Sequence, residues 1–336
     1  MNRPSKHTEN RTNHIRDYFN QLERRFQYGL VMAFFIPLVA LSIYFHIQFD
    51  VSLKETGKHN LAAIAESQRN TVDLFLQERL VNLFSLFHSR GFTLASTKQQ
   101  MQEFLLYLRQ GSDAFIDVGF LNPNGVQVGY AGPFPYLQNK DYSSQGWFHG
   151  LMQHERNYYI SDIYLGFRNK LHFTIAARQV IDGQPYVLRS TLDPDKFYLF
   201  LRTINHGKGV ESFIVNTAGR FQLADPSRWQ ALSPSPFIPP TENQTSVQEI
   251  DKNGDSALVA YAWLKETSWA LVVSEPLRLA YSQFYLARRI MLISSAVVSV
   301  VFIATIWLAT RGLIGKAREN AEKRGELHRQ LLHASK

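Results

Sequence analysis

Two uncharged apolar runs bracket the chain and set its hydrophobic pattern. From Tyr28 to Ile47 the sequence reads YGLVMAFFIPLVALSIYFHI, and from Ile290 to Ala309 it reads IMLISSAVVSVVFIATIWLA; neither contains Asp, Glu, Lys or Arg. A helix rising 1.5 Å per residue needs roughly 20 apolar residues to cross a bilayer core of about 30 Å. Both runs are expected to span a membrane, because buried helices of soluble domains seldom run so long without a charge. The charged lead-in before Tyr28 is long and no small-x-small site follows Ile47, so the first run reads as an uncleaved anchor rather than a signal peptide. Pro37 is tolerable within it, since a mild kink or a packing partner absorbs the lost hydrogen bond.

Between the runs the pattern is globular. From Val51 to Ser89, apolar residues such as Leu61, Ile64, Ala65, Val72, Leu76, Leu80, Leu83 and Phe87 recur at spacings of three and four, which predicts one long helix. A second helix is predicted from Lys98 to Arg109. The period then changes to two: Phe115–Leu121 and Val126–Tyr130 alternate like strands around the Asn122-Pro-Asn-Gly125 turn. Further strands are predicted at Tyr158–Ser161, Leu171–Gln179 and Tyr186–Leu192. Asp193 then caps a helix with Pro194 at its first position. A shorter copy follows: Ser212–Asn216, the Thr217-Ala-Gly219 turn, Arg220–Ala224, a Pro-rich stretch, then strands at Ala257–Leu264 and Trp269–Ser274. The pattern predicts an α+β fold of two alike modules in tandem on a long helix.

Charge decides orientation. The tail before Tyr28 carries six basic against three acidic residues, and the tail from Arg311 carries seven against three, so the two tails hold seven of the chain's eight net positive charges. Basic flanks mark the cytoplasmic side. Arg288 and Arg289 at the outer end of the second run oppose this and are outweighed. The expected layout is a cytoplasmic tail (1–27), a first transmembrane helix (28–47), an outer segment (48–288), a second transmembrane helix (290–309) and a cytoplasmic helix (310–336). It places the chain in the inner membrane with both termini inside. The high pI then belongs to membrane flanks, which excludes nucleic acid as a partner. The chain has no cysteine, so no disulfide stabilises the outer segment.

The order of membrane helix, long helix, large module, small module and membrane helix resembles the double Cache sensor domains of bacterial receptors, which pair two PAS-like modules. The resemblance covers roughly residues 50 to 280, with a distal module at about 90–205 and a proximal one at about 206–275. Asp117–Gly125 looks like the opening hairpin of the distal module. Tyr142-Ser-Ser-Gln-Gly-Trp-Phe148 is similar to the segment in which an aromatic pair follows the ligand-facing turn. Tyr159–Tyr164 resembles the strand lining the pocket.

That resemblance implies a small-molecule site made by Tyr142, Gln145, Trp147, Phe148, Asp162, Tyr164, Arg168, His172 and Thr191. In amino-acid-sensing members, an Arg just before the Trp holds the ligand's carboxylate and a late Asp holds its ammonium. Here Gln145 and Thr191 stand at those positions. Gln cannot reproduce the bidentate guanidinium fork, so ordinary α-amino acids are not expected as ligands. Gly166-Phe-Arg-Asn-Lys170 can place a cation over the pocket, favouring a small carboxylate or other anion; alternatively Arg168 and Lys170 belong to a solvated loop, and Trp147 only packs.

Other motifs carry less. Asp251-Lys-Asn-Gly-Asp255 begins like a calcium loop, but Ser256 and Ala262 stand where Gly and Glu are required, and it reads as a hairpin turn. His206-Gly-Lys-Gly209 lacks the ending of a phosphate loop. His149 and His154 are wrongly spaced for one helical face, and no metal site or cofactor is expected. No catalytic arrangement can be argued from spacing, so no enzymatic activity is assigned. Beyond Arg311 a rough apolar stripe predicts a parallel coiled coil between two copies, or else a basic tail on anionic lipid. Glu326–Lys336 resembles the lead-in to the phosphoacceptor helix of sensor histidine kinases; either a kinase core lies outside these 336 residues, or the protein works without its own kinase. The resemblance therefore implies two-component signalling, with a chemotaxis or cyclic-dinucleotide output, or a tethered binding protein, as the alternatives.

Overall fold

The computed structural model describes residues 6–89, 92–94, 97–153, 155–204, 209–241, 244–252 and 255–334. The chain divides into two compact units, one of residues 1–54 with 281–336 and one of residues 55–280.

The first unit holds the two apolar runs. Helix α1 spans Lys6–Phe87, and helix α6 spans Ser282–Ala334. The sequence predicts separate helices before and after Ile47; they form one, because no Pro follows Pro37 in α1 and nothing at Gln48–Asp50 ends the helix. Both apolar stretches are long enough to cross a membrane, and almost none of their surface is covered by protein. The runs meet each other along one side, where the rings of Phe34 and Phe302 lie 4.6 Å apart.

The second unit contains the two predicted modules. Helix α2 (Lys98–Gly111) starts at a capping box: the Gln100 N–H donates to Thr97 Oγ1, and the Thr97 N–H donates to Gln100 Oε1. Strands β1 (Phe115–Leu121), β2 (Gln127–Ala131), β3 (Tyr158–Ile160), β4 (Phe173–Ile181) and β5 (Gln184–Leu192) form an antiparallel sheet of order β2-β1-β5-β4-β3. Helix α3 (Gly146–Gln153) lies between β2 and β3, and α4 (Pro194–Ile204) follows β5. The second sheet holds β6 (Glu211–Asn216), β7 (Phe221–Leu223), β8 (Thr245–Lys252), β9 (Asp255–Trp263) and β10 (Trp269–Pro276), in order β7-β6-β10-β9-β8. A short helix, α5 (Leu277–Ala280), follows. The two orders are the same permutation, so the internal repeat read from two hairpins extends to whole sheets. Strand β8 is not predicted by pattern, because Thr245-Ser-Val-Gln-Glu-Ile-Asp-Lys252 is a mostly polar edge strand.

Alternation along the strands gives each sheet two different faces. Val118 and Phe120 of β1, Ile175 of β4 and Leu188 of β5 join one core with Leu76, Leu83 and Phe87 of α1. The same core takes Ile214, Ala260 and Leu271 from the second sheet, so one long helix supplies the seat for both modules. The opposite faces differ in chemistry. In the second sheet that face is apolar, with Phe213, Val215, Phe221, Val259 and Tyr261 packed together. In the first sheet it carries buried charge.

Candidate functional site

On β1 the residues turned away from α1 are Asp117, Gly119 and Leu121; on β5 they are Val187, Arg189 and Thr191. Register places Thr191 opposite Asp117 and Arg189 opposite Gly119. Gly119 is the strand residue this arrangement requires: an added Cβ would lie 2.9 Å from Gln127 Cδ and 3.1 Å from Arg189 Nε. Its missing side chain is the space through which Arg189 crosses the sheet.

Asp117 is fully buried and accepts four hydrogen bonds. Arg168 Nη2 at 2.5 Å and Tyr130 OH at 3.1 Å donate to Oδ2. Thr191 Oγ1 at 2.7 Å and Arg189 Nη1 at 3.2 Å donate to Oδ1. Arg168 Nη1 also donates to Thr191 Oγ1 at 2.5 Å. Arg189 Nη2 donates to Tyr142 OH at 3.0 Å and to Gln127 Oε1, and its guanidinium lies 4.8 Å from the Tyr142 ring centre. Burial pushes the Asp117 carboxyl up, but Arg189 and Arg168 outweigh it and hold it below the usual range. Burial likewise raises the Tyr130 hydroxyl, helped by Asp117.

Two guanidinium groups thus share one carboxylate, and the cluster is buried with a net charge of plus one. Arg168 Nε, Arg189 Nε and Trp147 Nε1 are buried donors with no acceptor among the described residues. Trp147 and Phe148 sit on α3 and pack with Tyr142, Leu151, Ala176 and Val187 over the same sheet face. An apolar cover of this kind keeps water from the cluster and strengthens every charge interaction beneath it.

The other expected residues fall around this centre. Tyr164 and Thr174 share a hydrogen bond of 2.8 Å, and the Tyr164 ring is 4.4 Å from that of His172. His172 is buried, and its Nδ1 donates to the Lys170 carbonyl at 2.7 Å. Burial, and then the nearby Arg168, lower its pKa to about 4, so it is neutral at pH 7. Gln145 is half-buried at the start of α3, where its carbonyl accepts the Phe148 N–H at 3.0 Å. The expectation of a solvated loop at Gly166–Lys170 holds for Lys170, which is exposed, and fails for Arg168, which is 6% exposed.

Asp162 is turned elsewhere. Its carboxylate accepts from Trp269 Nε1 at 2.7 Å and Asn216 Nδ2 at 2.8 Å, both in the second sheet. The next residue is tied the same way, with the Ile163 N–H donating to Gln222 Oε1 at 2.7 Å. Tyr164 is two residues further on, so the strand end beside the buried cluster is fixed to the second sheet. Replacing Asp162 by Ala would leave the buried Trp269 N–H unpaired, and is expected to cost about 1–3 kcal/mol in denaturant unfolding monitored by tryptophan fluorescence.

Asp117, Arg189, Gln127 and Tyr130 are site residues that the sequence reading misses. A signal exists for two of them: Asp117 and Arg189 are the only charged residues in their strands. Among the described residues, no group of three or more His, Asp or Glu could hold a metal ion. His154 and residues 205–208 and 253–254, which carry parts of the motifs considered above, lie outside the described residues.

Comparison with known proteins agrees with the architecture. The family profile described as Cache domain (dCache_1) matches residues 49–284. No curated protein matches the sequence. Among solved structures, an extracellular ligand binding receptor from Desulfohalobium retbaense is similar at TM-score 0.50 and 12% identity, over 64% of this chain and 40% of that one. The ligand binding domain of the Pseudomonas aeruginosa amino acid chemoreceptor PctB, in complex with L-Arg, is similar at TM-score 0.54 and 16% identity, over 71% of this chain and 98% of that one. An extracellular domain ascribed to a histidine kinase, rpHK1S-Z16, is similar at TM-score 0.50 and 16% identity, over 67% and 95%. The chain therefore spans less than half of the first of these and nearly all of the other two. At such identities the likeness is one of fold.

Proposed function

Since this chain belongs to the Cache domain family, we propose that it is a membrane receptor whose outer domain senses a small anion and signals through α6. The observation that carries the reading is the buried cluster of Asp117, Arg168 and Arg189, with its net positive charge and two unmatched N–H donors, beside the unmatched indole N–H of Trp147. An uncompensated buried charge is costly, and a bound carboxylate or similar anion relieves that cost and supplies acceptors. Ordinary α-amino acids fit less well, because the carboxylate available to an ammonium, Asp117, is already saturated by four donors.

In this reading the domain lies outside the inner membrane, with a distal module at about 90–205, a proximal module at about 206–275 and both termini in the cytoplasm. The basic tails support that orientation. Two copies of α6 pair beyond the membrane; Leu313, Leu327 and Leu331 are exposed on it and need a partner. The output is of the histidine-kinase type, supported by the lead-in at Glu326–Lys336 and by the likeness to the rpHK1S-Z16 domain. A chemotaxis output is the second reading, favoured by the likeness to the PctB domain.

The test is thermal unfolding of the full chain in lipid nanodiscs against carboxylates, amines and purines. A ligand at about a hundred times its Kd stabilises the folded state by about 2.7 kcal/mol, which for a domain of this size is a rise of about 5–10 °C. A small carboxylate is expected to give that rise. A rise with amines, and none with any carboxylate, contradicts the anion reading.

A further inference from the structure

The two modules enclose a cleft of about 790 Å³, within the range of about 300–1,000 Å³ usual for small-molecule sites. Phe134, Arg168, Lys170 and His172 line it from the distal module, and Arg228 and Trp229 line it from the proximal one. We infer that this cleft binds a small organic monoanion bearing a flat apolar group, of which an aromatic carboxylate is the simplest form. The inference rests on the anion reading above and places the accessible side of that site between the modules, away from the Trp147 cover.

Charge argues for a monoanion. Of the three cationic side chains in the lining, Arg168 is paired with Asp117 and Arg228 with Glu211, which leaves Lys170 as the cation open to a ligand, beside Asp193 and Asp195. Asp193 spends one oxygen on the N–H of Asp195, at 2.9 Å, where it caps α4. Arg228 is paired with Glu211 at 2.9 Å. His172, with its pKa of about 4, adds no charge at pH 7. The cation nearest to unengaged is Lys170, which is exposed on a turn anchored by the bond from His172 Nδ1 to its own carbonyl. Arg168 sits at the wall with both terminal nitrogens committed to Asp117 and Thr191, and with Nε buried and unmatched. A carboxylate entering the cleft therefore meets the exposed Lys170 ammonium, beside a wall whose charge is set by Arg168.

The apolar group is argued from the opposite wall. The Trp229 indole packs on Phe221, with ring centres 5.1 Å apart, and its Nε1 donates to Glu211 at 2.9 Å. That bond fixes the ring plane and leaves a half-buried aromatic face to a ligand of matching shape. A molecule held by Lys170 on one side and Trp229 on the other touches both modules. Its binding energy then favours one arrangement of the modules over another, which is what a receptor needs from its ligand.

Isothermal titration of the full chain in nanodiscs with benzoate, acetate and benzylamine tests this. Benzoate is expected to bind saturably, more tightly than acetate, with no binding of benzylamine. Lys170→Glu and Trp229→Leu should each weaken benzoate by about tenfold or more, the loss of one charge-assisted contact or one ring face. Trp147→Phe should leave it within about twofold. Unfolding temperatures without ligand show that each variant is folded, and the exposed Lys170 gives a variant whose fold is not at risk. Benzoate binding that ignores both cleft substitutions and falls in Trp147→Phe overturns the cleft and leaves the anion sensor standing. Acetate binding without benzoate overturns the aromatic class. Failure of every carboxylate overturns both readings.

Discussion

Asp117→Asn is expected to destabilise the Cache domain by about 3–5 kcal/mol, a fall of roughly 10 °C in unfolding temperature. The cause is the asymmetry of buried ion pairs. Asp117 is fully buried, and removing its charge leaves two guanidinium groups, 6% and 1% exposed, with no counter-ion. Replacing one partner of such a set costs far more than the set is worth, because the residual charge stays desolvated. The triple replacement of Asp117, Arg168 and Arg189 by Leu should therefore be much milder than the single change, within about 2 kcal/mol of the original chain if the volume packs. Denaturant unfolding in nanodiscs distinguishes the two. A drop of less than about 1 kcal/mol for Asp117→Asn would show that the cluster is hydrated, and the argument for an anion would fall with it.

The second large effect is a loss of stability on mild acidification, set by His172. Its folded pKa of about 4 lies below the ordinary value near 6.5, so between those two values the unfolded chain binds a proton that the folded chain refuses. Stability is therefore complete above about pH 6.5 and falls as pH drops through the window toward 4, by about 3 kcal/mol in total. Asp117 acts lower. Its folded pKa is depressed, so its contribution is present above the unfolded value near 3.9 and is lost only as pH falls below that. Asp73 opposes both, since burial raises its carboxyl. His172→Gln isolates the first effect: the difference in unfolding free energy between pH 7 and 4.5 should shrink by about 2–3 kcal/mol in the variant. An unchanged slope would mean that His172 is not held neutral by its surroundings.

Both effects arise from contacts that the sequence pattern does not display. The membrane runs are legible because twenty uncharged residues have few other uses, and the tandem modules because Phe115–Tyr130 and Ser212–Ala224 each alternate around a turn. Asp117 and Arg189 are 72 residues apart, and they meet because β1 and β5 are neighbours in the sheet. Pattern identifies strands and leaves their order open, so a pairing across that order is hidden. The same limit applies to Asp162. It lies on the segment that resembles a pocket strand, and its direction toward Trp269 depends on where the second sheet sits. Trp147 and Phe148 pack over the sheet face that carries Asp117 and Arg189, on a short helix that Gly146 and Gly150 obscure in the hydrophobic period.

The receptor reading links the Cache domain to the membrane, and the chain offers a direct way to follow that link. It has no cysteine, so a pair introduced at Phe34 and Phe302, whose rings are 4.6 Å apart, reports only on the contact between the two apolar runs. Disulfide formation between Phe34→Cys and Phe302→Cys is measured in nanodiscs with and without the carboxylate that gives the largest thermal shift. The receptor reading predicts a change of severalfold in the crosslinking rate on ligand addition, abolished by Lys170→Glu. A rate that stays the same while the ligand is bound would contradict it, and would leave a tethered binding protein that passes no signal to the membrane.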